Sequence, residues 1–158
     1  MSLSYLVELE KKVEEKINAA KSASEFVFND FTVERTPYPM ENVENLPAAG
    51  KVYIVGMGSD EERGESRQNT CKAEAPIQIG YQRAVVPTDT DTIDALKLLI
   101  EQLRDIVRKE VDPEVDWASW NRTENLKDDN GTPYSYMGLR EGNFFEAYFT
   151  AFYTLVLS

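Results

Sequence analysis

The sequence predicts an α+β fold: a mostly antiparallel sheet with two helices packed on one face, in the order α-β-β-β-α-(β)-β. Three observations carry this expectation. Residues 6–20 and 93–107 repeat apolar side chains at spacings of three and four, the period of a half-buried helix. Residues 77–82 and 145–157 alternate apolar and polar positions, the period of a half-buried strand. The remaining strand formers cluster before the second helix rather than alternating with helices, which favours α+β over a parallel α/β sheet. A chain of 158 residues suits one domain spanning 1–158, and such a domain buries roughly 70% of its extended-chain surface without a disulfide or metal staple.

The first helix is read from Leu6, Leu9, Val13, Ile17 and Ala20, with charged residues on the other face and Ser2 or Ser4 as its cap. Phe26, Val27, Phe28, Phe31 and Val33 are strand formers, stopped by Pro37 and Pro39. A loop over 40–50 leads to a second strand, 51–55. Ile77, Ile79 and Tyr81 lie on the apolar face of the third, with Gln78, Gly80 and Gln82 on an exposed face. The second helix carries Ile93, Leu96, Ile100, Leu103 and Val107, widened by Leu99 and Ile106. Thr90, Asp91 or Thr92 caps it, Arg108 and Lys109 suit its C-terminal end, and Pro113 closes it. Residues 117–132 show no period, 136–140 form a short strand, and the tail is a long strand with Phe145, Ala147, Phe149, Ala151, Tyr153, Leu155 and Leu157 facing inward.

Composition narrows the chemistry. No histidine is present, which removes serine–histidine and cysteine–histidine catalysis and histidine metal sites. The one cysteine, Cys71, makes neither an intrachain disulfide nor a thiolate zinc site. Seventeen basic against 28 acidic side chains leave a net charge of −11. Residues 1–25 nearly balance, with four Lys and five Glu, whereas residues 111–158 carry eight acids against three bases. Phosphate binding needs a basic patch, and no segment supplies one. No apolar run is long enough to span a bilayer, and no leader pattern opens the chain, so synthesis in a reducing cytoplasm and no membrane contact are expected.

Residues 51–66, "KVYIVGMGSDEERGES", raise a nucleotide-binding question, because a short apolar run feeds Gly56-Met57-Gly58. A dinucleotide fingerprint needs a third glycine opening a helix; Glu61 stands there, among Asp60, Glu62 and Glu65. No Gly-Lys-Ser/Thr follows, which excludes the P-loop pattern. The stretch reads as a strand ending in a solvated acidic loop, and no cofactor is expected. Asp89, Asp91 and Asp94 fail the EF-hand spacing, as does the run from Asp128, so no metal is expected either. No catalytic residue is assigned, and the protein is not expected to be an enzyme.

The order of an N-terminal helix, "FTVERTPYP", "KVYIVGMG", an acidic loop with "ESRQN", "PIQIGYQRAV", "DTDTIDALKLLIEQLRDIV" and the late strand "GNFFEAYFTAFYTL" resembles the tail-terminator, or tail-completion, proteins of long-tailed bacteriophages and prophages. The resemblance covers nearly the full length and rests on element order rather than on a signature motif. It implies a structural ring, usually of six subunits, on the head-proximal end of the tail tube. Such a ring ends tube growth and presents a surface to the head-connector protein. It implies a location in the virion neck after synthesis in the bacterial host cytoplasm. An acidic channel would let DNA pass without specific binding, since like charges repel. Asp60, Glu61, Glu62, Arg63, Glu65 and Arg67 are the candidate lumen or subunit-interface loop, and Gln78 and Gln82 the candidate exposed strand face. Three alternatives stay open: another neck, connector or minor tail protein; a monomeric acidic adaptor; and a small enzyme using carboxylates.

Overall fold

The computed structural model describes residues 5–37, 46–57, 60–63, 71–109, 117–126 and 138–157. Helix α1 spans Tyr5–Ser22, followed by strands β1 (Thr32–Arg35), β2 (Lys51–Gly56), β3 (Asp60–Arg63) and β4 (Cys71–Ala84). Helix α2 (Thr90–Arg108) precedes β5 (Ala118–Leu126), a π-helical turn at Gly138–Gly142 and β6 (Phe144–Leu157). The α+β class is as expected.

The strands form one mixed sheet in the order β1-β2-β4-β6-β5, with β3 also pairing β4. Only β1 and β2 run parallel. β4 and β6 form the spine, paired antiparallel along 14 residues from Cys71↔Leu157 to Ala84↔Phe144. Because β6 fills one edge of β4, β2 and β3 lie end to end along the other, at positions 77–82 and 71–74 respectively.

Both helices bury the predicted stripes. α1 places Leu9, Val13, Ile17 and Ala20 in the core, and α2 places Ile93, Leu96, Leu99, Leu103, Ile106 and Val107 there, with Ile100 only partly buried. They meet Ile54, Ile77, Ile79, Tyr81, Phe149, Ala151 and Tyr153 from the sheet. The inward face of β6 is as read, from Phe145 to Leu155.

Several local expectations are corrected. The run 26–33 is a strand only from Thr32. Asn29 accepts from the Phe26 N–H at 3.1 Å and donates to the Phe26 carbonyl at 2.8 Å, closing a turn; this local side-chain bonding competes with the ladder. The cap of α2 is Asp89, whose carboxylate accepts from the Thr92 amide at 3.2 Å and the Thr92 hydroxyl at 2.7 Å. A strand, β5, occupies the first part of the segment read as aperiodic. The predicted strand at 136–140 is instead a π-helical turn over its described part. Ser2, Ser4 and Pro113 lie outside the described residues.

The Asp89 cap carries a pH signature. Its hydrogen bonds from Thr92, side chain first and then backbone, hold the carboxyl below its ordinary value. A depressed folded-state value means stabilisation that is present above the unfolded value and lost as pH falls through the folded one. Asp89→Ala should therefore lower the melting temperature at neutral pH, with the gap to the parent closing once both are measured well below the carboxylate range. A gap that persists in acid would assign the loss to something other than the charged cap.

Candidate functional site

The acidic segment is not a simple loop. Asp60–Arg63 forms a strand antiparallel to β4, with Asp60↔Glu74, Glu61↔Ala73, Glu62↔Lys72 and Arg63↔Cys71 in register. The local sequence has poor strand propensity, but the N-terminal half of β4 offers an unfilled edge, and pairing context outweighs propensity in sheets. Glu65 and Arg67 lie outside the described residues.

Gln78 and Gln82 do not form an exposed face; they are 7% and 3% exposed. They belong to the central strand, whose neighbours cover them. Gln82 Nε2 donates to Glu146 Oε2 at 2.7 Å and to the Tyr148 hydroxyl at 2.9 Å. The Tyr148 ring lies directly over Gly80, where a Cβ would overlap Cε1 and Cδ1. A glycine inside an alternating strand thus marks a close approach by a cross-strand side chain. Burial, and then Glu146, push the Tyr148 hydroxyl above its ordinary range.

Gly56, the first glycine of the Gly56-Met57-Gly58 motif, has a comparable role. A Cβ there would sit 2.6 Å from Glu10 Oε2. The Glu10 carboxylate therefore occupies the space beside the glycine that a phosphate would need, which argues against a nucleotide site on charge as well as on motif. Glu10 is 9% exposed and lies 3.6 Å from Arg35 Nη2. Together with Thr36, Pro37 and Gly56 they line a cleft of ≈ 400 Å³. Sequence reading placed Glu10 on the solvent side, yet Leu6, Glu10, Val13 and Ile17 follow helical spacing, so the signal was present. A second cleft of ≈ 430 Å³ lies by the Asp89 cap, lined by residues that include Arg83, Val86, Thr92 and Asn143.

The far end of the sheet is held by Arg122 on β5. Its guanidinium lies 3.7 Å from the Phe152 ring centroid, reaches Glu74 at 3.3 Å and pairs with Glu124. Three strands are thus tied by one side chain, through ring stacking and charge. Among the described residues no group of three or more metal-ligating side chains gathers. No described helix is long and apolar enough to cross a membrane.

Two tyrosines are anchored in the core. Tyr81 donates to the Ala49 carbonyl at 2.9 Å, next to Gly50, whose φ of 86° suits glycine. Tyr153 donates to the Val107 carbonyl at 3.1 Å, fixing the end of α2 to β6. Burial raises Tyr81 from 10.0 to about 12 despite Arg83, and raises Tyr153 further. A raised folded-state value means a contribution fully present below the unfolded value and lost as pH rises through the folded one. Stability should thus fall between about pH 10 and 12, with phenolate absorbance rising together with unfolding. Ionisation of all eight tyrosines near pH 10, with the fold retained, would contradict this burial.

No family model matches the sequence, and no curated protein matches it. The fold, however, is similar to a solved structure: the sheath/tube terminator of an extracellular contractile injection system, PVC, in its extended state. The TM-score is 0.55 at 12% identity, over 100% of this chain and 58% of that one. This chain therefore spans little more than half the length of the protein it resembles. At this identity the likeness establishes a shared fold.

Proposed function

We propose that this chain is a structural tail terminator: a ring of about six copies on the head-proximal end of a tail tube. The ring ends tube growth and joins the tube to a head-connector protein. The observation that carries the reading is the likeness, over the whole chain, to a sheath/tube terminator. The element order of the sequence resembles the same class. The charge of −11 adds support, since an acidic channel passes DNA without holding it. In this reading the protein belongs to the neck of a virion or a related particle and performs no catalysis.

Adding purified protein to preformed tubes, polymerised from a cognate tail-tube protein, tests the reading. Binding should saturate at about six copies per tube end and scale with the number of ends. Binding that scales with tube length, or no binding, would overturn it.

The acidic hairpin has a place in this scheme. Asp60, Glu61, Glu62 and Glu65 face the channel or a neighbouring subunit in the proposed ring, with Arg63 among them and Arg67 just after them in the sequence. Replacing the four acids by their amides should alter ring formation or DNA passage while the melting temperature stays near that of the parent. Unchanged assembly and unchanged infectivity would reduce the segment to a merely solvated one.

A further inference from the structure

We propose that the outer edge of β1, with the Glu10–Arg35 pair beside it, is a docking edge for β5 of a second copy of this chain. The inference rests on the ring reading and names the surfaces that would close the ring.

The first observation is backbone direction. The Thr32 N–H donates to the Gly50 carbonyl at 3.3 Å and the Thr36 N–H to the Ile54 carbonyl at 3.0 Å. In a ladder, successive residues direct their main-chain groups to opposite sides. Val33 and Arg35 therefore direct theirs away from β2, where no described strand lies.

The second observation lies at the same point. Arg35 Nε is enclosed and has no hydrogen-bond partner among the described residues. The Glu10 side chain is 12% exposed, and its described ion-pair contact with Arg35, at 3.6 Å, exceeds a charge-assisted hydrogen bond of about 2.7–2.9 Å. A buried donor without a partner, Arg35 Nε, and the mostly buried Glu10 carboxylate line a cleft of ≈ 400 Å³. A peptide group supplies both complements, a carbonyl for Nε and an N–H for the carboxylate. An extended strand laid on β1 brings such groups to that place.

Charge selects the occupant. Two chains of −11 repel, so contact favours balanced surfaces. β1 carries one acid, Glu34, and one base, Arg35; β5 carries Arg122 and Glu124. By contrast, β3 carries three acids and one base. β5 lies at the opposite end of the sheet, and past its irregularity at Trp120/Arg122 it keeps regular register from Arg122 to Leu126. That stretch is long enough to cover β1. Pairing one edge with the opposite edge of the next copy is a heterologous contact, which closes into a ring when the rotation permits.

The test is a benzophenone amino acid replacing the exposed Glu34, irradiated in concentrated protein and on tubes, with crosslinked peptides mapped by mass spectrometry. The expected product joins two copies, from position 34 to residues 118–126. Arg35→Ala and Gly56→Ala, the latter displacing the Glu10 carboxylate, should each cut its yield about tenfold or more. Circular dichroism checks that each variant is folded, and Arg35→Ala alone suffices if Gly56→Ala is not. No intercopy product, products elsewhere on the chain or on tube protein, or a yield unchanged in folded Arg35→Ala would overturn the inference. Crosslinking without tube capping would leave this surface standing and remove the terminator reading; capping without the crosslink would do the reverse.

Discussion

Phe149→Ala is expected to lower the unfolding free energy by about 3–5 kcal/mol. Phe149 is 1% exposed and sits mid-strand on β6, in register with Ile79 of β4 and Asn125 of β5. Its ring belongs to the cluster that α1 and α2 cover. Truncation removes the transfer free energy of a phenyl group and leaves a cavity that paired strands on both sides cannot close. Against a typical total of about 5–15 kcal/mol, this brings the protein close to its folding threshold. Denaturant titration reads the effect as a fall in midpoint. Thr150→Ala, on the opposite face, is the control and should lose less than about 1 kcal/mol. Equal losses at the two positions would mean that β6 does not face the core as described.

Gly80→Ala is expected to cost about 2–4 kcal/mol, combining overpacking with a lost hydrogen bond. The added methyl overlaps the Tyr148 ring, and both strands belong to the sheet's spine, so neither moves freely. Displacing Tyr148 also removes its hydroxyl from Gln82. The cause is separable by a double-mutant cycle, because truncating Tyr148 removes the overlap. In a Tyr148→Ala background the cost of Gly80→Ala should fall below about 1 kcal/mol. A cost that stays the same in both backgrounds would assign it to the strand backbone and not to the ring.

These two sites also mark what the sequence makes legible. Phe149 could be read because β6 buries one face against helices, so alternation and burial coincide. α2 was legible for the same reason. Gln78 and Gln82 alternate just as cleanly yet are buried, because on a central strand side chains of the adjacent strands, such as Tyr148 and Glu146 beside Gln82, cover polar positions even on the face away from the helices. β5 was missed because an edge strand needs no inward alternation throughout: Asn121, Arg122 and Glu124 are exposed, and the register shift after Trp120 breaks the period. β3 was missed because four consecutive charged residues form a strand only when a longer neighbour offers them an edge. Glu10 was hidden by its own charge, although its spacing placed it on the buried stripe. The cleft it forms with Arg35 and Gly56 joins two elements about 25 and 46 residues away along the chain, and no local pattern announces such a meeting.

The Gly56-Met57-Gly58 motif gains a physical meaning from that meeting. Its first glycine makes room for a carboxylate arriving from α1, while Met57 beyond it is 56% exposed. Gly56, which in the sequence suggests a cofactor loop, lies instead beside a polar cleft at one edge of the sheet.

In the proposed role this protein ends tube growth. The most direct measurement of that role is the length distribution, by electron microscopy, of tubes polymerised with increasing amounts of the protein added during growth. A terminator gives shorter tubes as the ratio of this protein to tube protein rises, each bearing one ring-shaped cap at one end. Tubes of unchanged length with bare ends, at a concentration where the protein is folded and in excess over ends, would contradict it.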